Sequence, residues 1–159
     1  MASKGDKKVI TLGITLVTLL AIIVASVTVL NFLGYAYPVK GKSMFPTLRE
    51  GDVVFVTPST TSDVRIGQII VYQRGEIYVV HRVVDKFNRG GEVLLKTQGD
   101  NNPVPDTVLI SNNMLKGIVI LHLPVLGILT FPPYNYIIAL ILALSIIYET
   151  FFEKRRRPG

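Results

Sequence analysis

The chain contains no cysteine. Disulfides, thiol catalysis and cysteine-based zinc sites are therefore excluded. Histidine is almost as scarce, with only His81 and His122 present, so any imidazole chemistry falls to one of the two. Charged residues make up 18% of the chain, a small share for a soluble protein. The formal net charge is +6, but the basic excess lies mostly at the two ends. The middle has mixed signs and no basic stripe with interleaved aromatics, which removes a nucleic-acid reading of the high isoelectric point. There is no repeat of solenoid length and no helix-period pattern outside two apolar runs. A length of 159 residues leaves room for one domain of modest size.

Apolar residues are abundant, at 49% of the chain with a mean hydropathy of +0.45, and place it in the membrane class. Residues 9–33, VITLGITLVTLLAIIVASVTVLNFL, carry no charge. At about 1.5 Å per residue such a run can cross a hydrocarbon core of about 30 Å with some tilt. A cleaved signal peptide is the competing reading. Lys4, Lys7 and Lys8 would be its basic start and Gly34-Tyr35-Ala36 its small-x-small site. Apolar cores of signal peptides run about 7–15 residues, so a retained anchor is expected. The second run, residues 134–152, is near the lower limit for a span, flanked by Tyr134, Tyr136, Tyr148, Phe151 and Phe152 and followed by Lys154-Arg155-Arg156-Arg157. A second transmembrane helix is expected there, against the alternatives of a buried C-terminal helix or an amphipathic helix on the membrane surface.

Basic ends at both extremes put both in the cytoplasm under the positive-inside rule. The predicted organisation is a basic N-terminus at 1–8, a span at 9–33, an extracytoplasmic domain at 36–133, a span at 134–152 and a basic tail at 153–159, which can meet anionic lipid head groups. Inside the domain, residues 52–56, 68–72, 77–85, 92–96 and 116–122 are rich in Val and Ile and are bounded by Gly, Pro, Asn and Asp turn signals. They predict a mainly β, antiparallel fold.

Ser43 sits in GKSMFPT, a turn stiffened by Pro46, just before the first of these strands. Proline fixes its own φ and biases Phe45 away from the helical region. A serine hydroxyl is a weak nucleophile without an adjacent base. His81 lies within YVVHRVV, where strand alternation puts Val79, His81 and Val83 on one face and Val80 and Arg82 on the other. By itself His81 reads first as a partly exposed strand histidine, and His122 as an interfacial one. A neutral imidazole also needs a group to fix its tautomer. Asp100 and Asp106 in GDNNPVPD are candidates, although Asp-Asn-Asn is also ordinary turn chemistry.

Taken together, KSMFPT at 42–47, VVHRVV at 79–84 and GDNNPVPD at 99–106 resemble, in order and spacing, the three boxes of type I signal peptidases. Histidine at the base position is similar to the archaeal and endoplasmic-reticulum branch, where the bacterial branch has lysine. The histidine branch and the small size suggest an archaeal source. The resemblance implies a small β protease domain on the outer face of the cell membrane. It implies Ser43 as nucleophile, His81 as general base, Asp106 as the carboxylate orienting His81, and Asp100 in support. Gly41, Met44, Phe45 and Val79 are candidate substrate contacts, with core packing an equal expectation for Met44 and Phe45.

The family's usual serine two residues before the nucleophile, which can help bind the oxyanion, is Gly41 here; the Ser43 amide then becomes the expected donor. Lys42 reads as a solvated lysine. The implied substrates are secretory preproteins with small side chains at the first and third positions before the cut. Lipid is the expected surrounding, the export translocon a candidate partner, and no cofactor or metal is called for. The rival readings are a membrane-tethered β module that binds a partner without catalysis, and a related serine protease dedicated to one substrate.

Overall fold

A computed structural model describes residues 4–130 and 132–148. It separates into two units, one holding the N-terminal 28 residues with the C-terminal segment from Leu129, the other comprising Val29–Ile128.

The first helix, α1, spans Lys4–Phe32. Within it Leu12–Phe32 is long and apolar enough to cross a membrane; its 21 residues rise about 32 Å, matching a hydrocarbon core of about 30 Å. Large apolar side chains such as Leu12, Leu16, Leu19, Ile22 and Val29 stand exposed on its surface, as a lipid-facing helix requires and a water-facing one does not. Gly34 ends the helix. At φ +79° it reverses the chain, its N–H donating to the Asn31 carbonyl and the Tyr35 N–H to that of Leu30, a glycine C-cap. Helix α2, Tyr134–Tyr148, has 15 described residues, about 22 Å at 1.5 Å per residue and short of a full span. The rest of the predicted second span, residues 149–152, and the basic tail lie outside the described residues, so a second transmembrane helix is not shown.

The Val29–Ile128 unit is built on six strands: β1 Ala36–Pro38, β2 Val53–Thr57, β3 Ile69–Arg74, β4 Ile77–Arg89, β5 Glu92–Gln98 and β6 Leu115–Leu123. They form one sheet in the order β1-β2-β6-β3-β4-β5, antiparallel at every pairing. Five strands were expected from the sequence. The sixth, β1, is three residues long and contains Pro38, a residue tolerated because β1 is an edge strand. A short 3-10 helix, Leu126–Thr130, follows the sheet.

Alternation along the strands splits the core in two. Val71 points to a cluster with Tyr37, Val39, Met44, Leu48, Val54 and Val56. Its neighbours Ile70 and Tyr72 point to another with Val64, Val83, Leu95, Ile110 and Leu115. Register puts Ile70 opposite His81 and Tyr72 opposite Val79. Residues directly opposite on antiparallel strands share a face, so His81 lies on the Ile70 and Tyr72 side, with Val79 and Val83. Leu95, fully buried, is held by paired main-chain bonds to Ile110.

Removing the Leu95 side chain leaves a cavity where the β5 edge meets the 110 segment. Leu95→Ala is expected to cost about 2–5 kcal/mol, whereas Ile120→Ala, on an exposed residue, is expected to stay within about 0.5 kcal/mol. Chemical denaturation of the full chain in detergent micelles checks both; equal losses would contradict this description of the core.

Candidate active site

The long strand β4 carries the central residue. His81 is buried and held on both sides by hydrogen bonds. Its Nδ1 is 2.6 Å from Asp106 Oδ2, and its Nε2 is 3.1 Å from Ser43 Oγ. A carboxylate only accepts, so Nδ1 carries the proton and Nε2 is left as the acceptor for the serine hydroxyl. Hydroxyl, imidazole and carboxylate thus stand in line, an arrangement that can draw a proton off Ser43 and stabilise the charged ring that results.

Asp106 lies in the loop after β5 and is positioned by residues of β5 and β3. Its N–H donates to the Thr97 carbonyl at the end of β5. The Thr97 hydroxyl donates to Oδ2 at 2.6 Å, and the Tyr72 phenol donates to the same oxygen at 3.1 Å. Burial alone would push this carboxyl up, but the Thr97 hydroxyl and the His81 ring outweigh it, and the net direction is below the usual carboxylate range. Burial drives the Tyr72 phenol the other way, up to about 12; it therefore stays a protonated donor at any working pH.

Asp100 is engaged elsewhere. Arg82, on the opposite face of β4 from His81, grips it with two bonds: Nε to Oδ1 at 2.9 Å and Nη2 to Oδ2 at 2.7 Å. The Thr47 hydroxyl donates to Oδ2 at 2.5 Å. Asp100 makes no hydrogen bond to His81; it joins β4 to the turn that carries Ser43. The Arg82 guanidinium, ahead of the opposing effect of burial and with help from Thr47, holds this carboxyl below its ordinary value.

The Ser43 turn is fastened to the 99–102 loop through the main chain. The Asn101 N–H donates to the Ser43 carbonyl at 2.8 Å, and Asn101 Nδ2 donates to the Lys42 carbonyl at 3.2 Å. Gly99 lets the two segments meet. A Cβ on it would lie 2.6 Å from the Ser43 carbonyl oxygen, which only glycine avoids. The turn itself begins at Gly41, with φ +90°. The Phe45 N–H closes it on the Lys42 carbonyl, and the Leu48 N–H on that of Met44. The Phe45-Pro46 peptide bond is cis. No acceptor is found among the described residues for the Ser43 N–H.

Ser43, His81 and Asp106 therefore meet. Met44 does not join a substrate surface: at 2% exposure it fills the core beneath the turn, because the turn sends alternate side chains in and out. Phe45 is its outward counterpart, 47% exposed, with the Arg49 guanidinium over its ring at 5.9 Å. Val79 is partly buried against the second cluster. Gly41 and Lys42 are exposed, and His122, opposite Val54 in β6, takes no part. Sequence reasoning gave no role to Thr97, Tyr72, Thr47, Arg82 or Asn101. Arg82, Thr47 and Asn101 lie inside the quoted boxes, so their signal was adjacency; Thr97 and Tyr72 lie on β5 and β3, and only the sheet order brings them to Asp106.

The chain is similar in sequence to known peptidases. The Peptidase S24-like family matches residues 22–120. A signal peptidase complex catalytic subunit sec11 of Neurospora crassa is 36% identical over 98 residues, covering 55% of this chain and 57% of that protein. Signal peptidase complex catalytic subunits of Colletotrichum graminicola, at 36%, and Pyricularia oryzae, at 34%, align over the same shares. The chain thus spans a little over half the length of these curated relatives. They are fungal, and give no support to the archaeal source suggested by the sequence.

Both carboxyls have the lower pKa in the folded chain, so the unfolded chain binds more protons as the pH drops through the ordinary carboxylate range. Their stabilisation is present above that range and is lost as pH falls through the folded values. The difference in denaturation midpoint between the native chain and Asp100→Asn should therefore be largest near neutral pH and shrink steadily on acidification. A gap that widens in acid would overturn the assigned direction.

Proposed function

The chain belongs to the S24-like peptidase family, among the type I signal peptidases, and from that premise we propose that it is a membrane-anchored serine endopeptidase removing signal peptides from exported preproteins. The observation carrying this reading is the unbroken line of hydrogen bonds from Ser43 through His81 to Asp106. Ser43 is the nucleophile. His81 Nε2 takes its proton as Oγ bonds to the scissile carbonyl carbon, and Asp106 stabilises the imidazolium. The C–N bond then breaks, His81 passes the proton to the leaving amine, and the mature protein departs. Water, deprotonated by His81, attacks the remaining ester and releases the signal peptide with a free carboxylate. The Ser43 N–H, which has no acceptor among the described residues, is the main-chain donor assigned to the developing oxyanion.

Location follows from the same reading. The apolar part of α1 is the anchor, and the lysines before it keep the N-terminus in the cytoplasm, which puts the sheet on the outer face. Ser43 follows the predicted first span by about ten residues, a contour length of at most about 33–36 Å. A preprotein held by its own apolar segment presents its cleavage site in that zone. An extended substrate binds through main-chain hydrogen bonds, as an added strand would, and small side chains before the cut let it approach the serine. Secretory preproteins are the substrates, lipid the surroundings, and the translocon and further subunits the candidate partners.

Three substitutions test the chemistry with the full chain in membranes and a radiolabelled preprotein. Ser43→Ala should abolish processing. Asp106→Asn should lower the rate on the order of 10⁴-fold, as the loss of the orienting carboxylate does in other Ser-His-Asp hydrolases. His81→Lys should be inactive; full activity in that variant would remove His81 as the base. Normal processing by Ser43→Ala would sink the whole reading.

A fourth substitution tests how the site is held. Gly99→Ala forces the 99–102 loop and the Ser43 segment apart while leaving every catalytic group in the chain. A displacement near 1 Å can cost about 10² in rate, so processing should fall by about that factor with the circular dichroism spectrum unchanged. Unaltered processing would show that this close approach is not needed for alignment.

A further inference from the structure

Beside the nucleophile lies a hollow of about 400 Å³ lined by Lys42, Phe45, Arg49, Glu50 and Asn101. It is fixed to the reacting atoms by the main chain. Lys42 is covalently adjacent to Ser43, and Asn101 is hydrogen-bonded to the carbonyls of both. Phe45 closes the turn onto the Lys42 carbonyl. The main chain of Lys42, Phe45 and Asn101 in these walls is therefore tied to Ser43.

Its charge is unbalanced. Two cations face one carboxylate. Among the described residues neither Lys42 nor Arg49 forms an ion pair; the two pairs found are His81–Asp106 and Arg82–Asp100. Arg49 instead lies over the Phe45 ring, which leaves its guanidinium edge open to an acceptor. The hollow is too large for the side chain of alanine or glycine. It suits a longer residue with an apolar stem and a negative end.

We infer that this hollow is a specificity subsite for an acidic side chain flanking the scissile bond, read by Lys42 and Arg49. The inference rests on the peptidase reading above and narrows its substrates. Extended chain advances about 3.3 Å per residue, and Lys42 neighbours the nucleophile, so the acidic residue lies within two or three positions of the cut. Phe45 supplies the apolar wall for the stem of Glu or Asp. Glu50 sets a limit, since it repels a second carboxylate and favours a single acidic residue over an acidic run.

The test is a set of preproteins identical except for Asp, Asn or Lys at positions −2, +1 and +2 around the cut, processed by the full chain in membranes. At one of these positions Asp should be favoured over Asn in kcat/KM by about three- to tenfold, the effect of one or two partly exposed ion pairs. The preference should shrink at high salt. R49E should reverse the order of Asp and Lys at that position, and Lys42→Glu should do the same independently. Both residues are exposed, and the readout is a ratio between substrates, so a general loss of rate does not disguise the outcome. Cleavage of all substrates with Asp-to-Asn ratios near one, or ratios untouched by both charge reversals, overturns the subsite and leaves the peptidase reading standing. No cleavage of any substrate by the native chain overturns the peptidase reading itself.

Discussion

One carboxylate oxygen organises this site. Asp106 Oδ2 receives the His81 ring, the Thr97 hydroxyl and the Tyr72 phenol. A charge withdrawn from water is costly unless donors replace the lost hydration, and here three do. In return the carboxylate fixes which imidazole nitrogen bears the proton. That choice leaves Nε2 free to accept from Ser43, and every catalytic possibility of the serine depends on it. The donors come from β3, β4 and β5, neighbours in the sheet order, so the oxygen also pins three strands at one point.

β4 works with both of its faces. On one, His81 belongs to the relay. On the other, Arg82 holds Asp100, and Asp100 holds Thr47 beyond the nucleophile. The same loop therefore supplies Asp106 behind the base and Asp100 beside the serine turn. A bidentate arginine–carboxylate pair is directional as well as strong, and with the main-chain bond from Asn101 to Ser43 it sets the distance between hydroxyl and imidazole. Ser43 and His81 lie 38 residues apart in the chain. The loop from Gly99 to Asp106 is what joins them.

Much of this was legible before any coordinates. Val- and Ile-rich runs gave five strands, and period-two alternation assigned His81 and Arg82 to opposite faces correctly. β4 runs on to Arg89, four residues past its expected end, since Lys86, Asn88 and Arg89 are polar and the single exposed Phe87 among them makes no Val- or Ile-rich run. β1 was invisible because three residues hold no period. The second span was expected from apolarity and flanking charge; the described helix is shorter, and its continuation falls outside the described residues. Thr97 and Tyr72 could not be assigned from sequence, because their roles depend on cross-strand register rather than on spacing along the chain. Met44 and Phe45 were indistinguishable in sequence, both apolar and adjacent. Only the direction of the turn separates a core residue from an exposed one.

The departure at Gly41 has a cause in the same turn. With φ +90°, that position lies where a side chain is strained. A serine there would need a different backbone path into Lys42 and Ser43, yet the path is fixed by Asn101 bonding to both carbonyls. A side-chain donor at position 41 would thus be strained by this way of holding Ser43. Under the proposed peptidase reading, stabilisation of the oxyanion passes to the main chain, to the Ser43 N–H. Such a donor is set by the turn rather than by a rotamer, needs no reorganisation as charge develops, and depends on the close packing of Gly99 against the Ser43 carbonyl that keeps the turn in place.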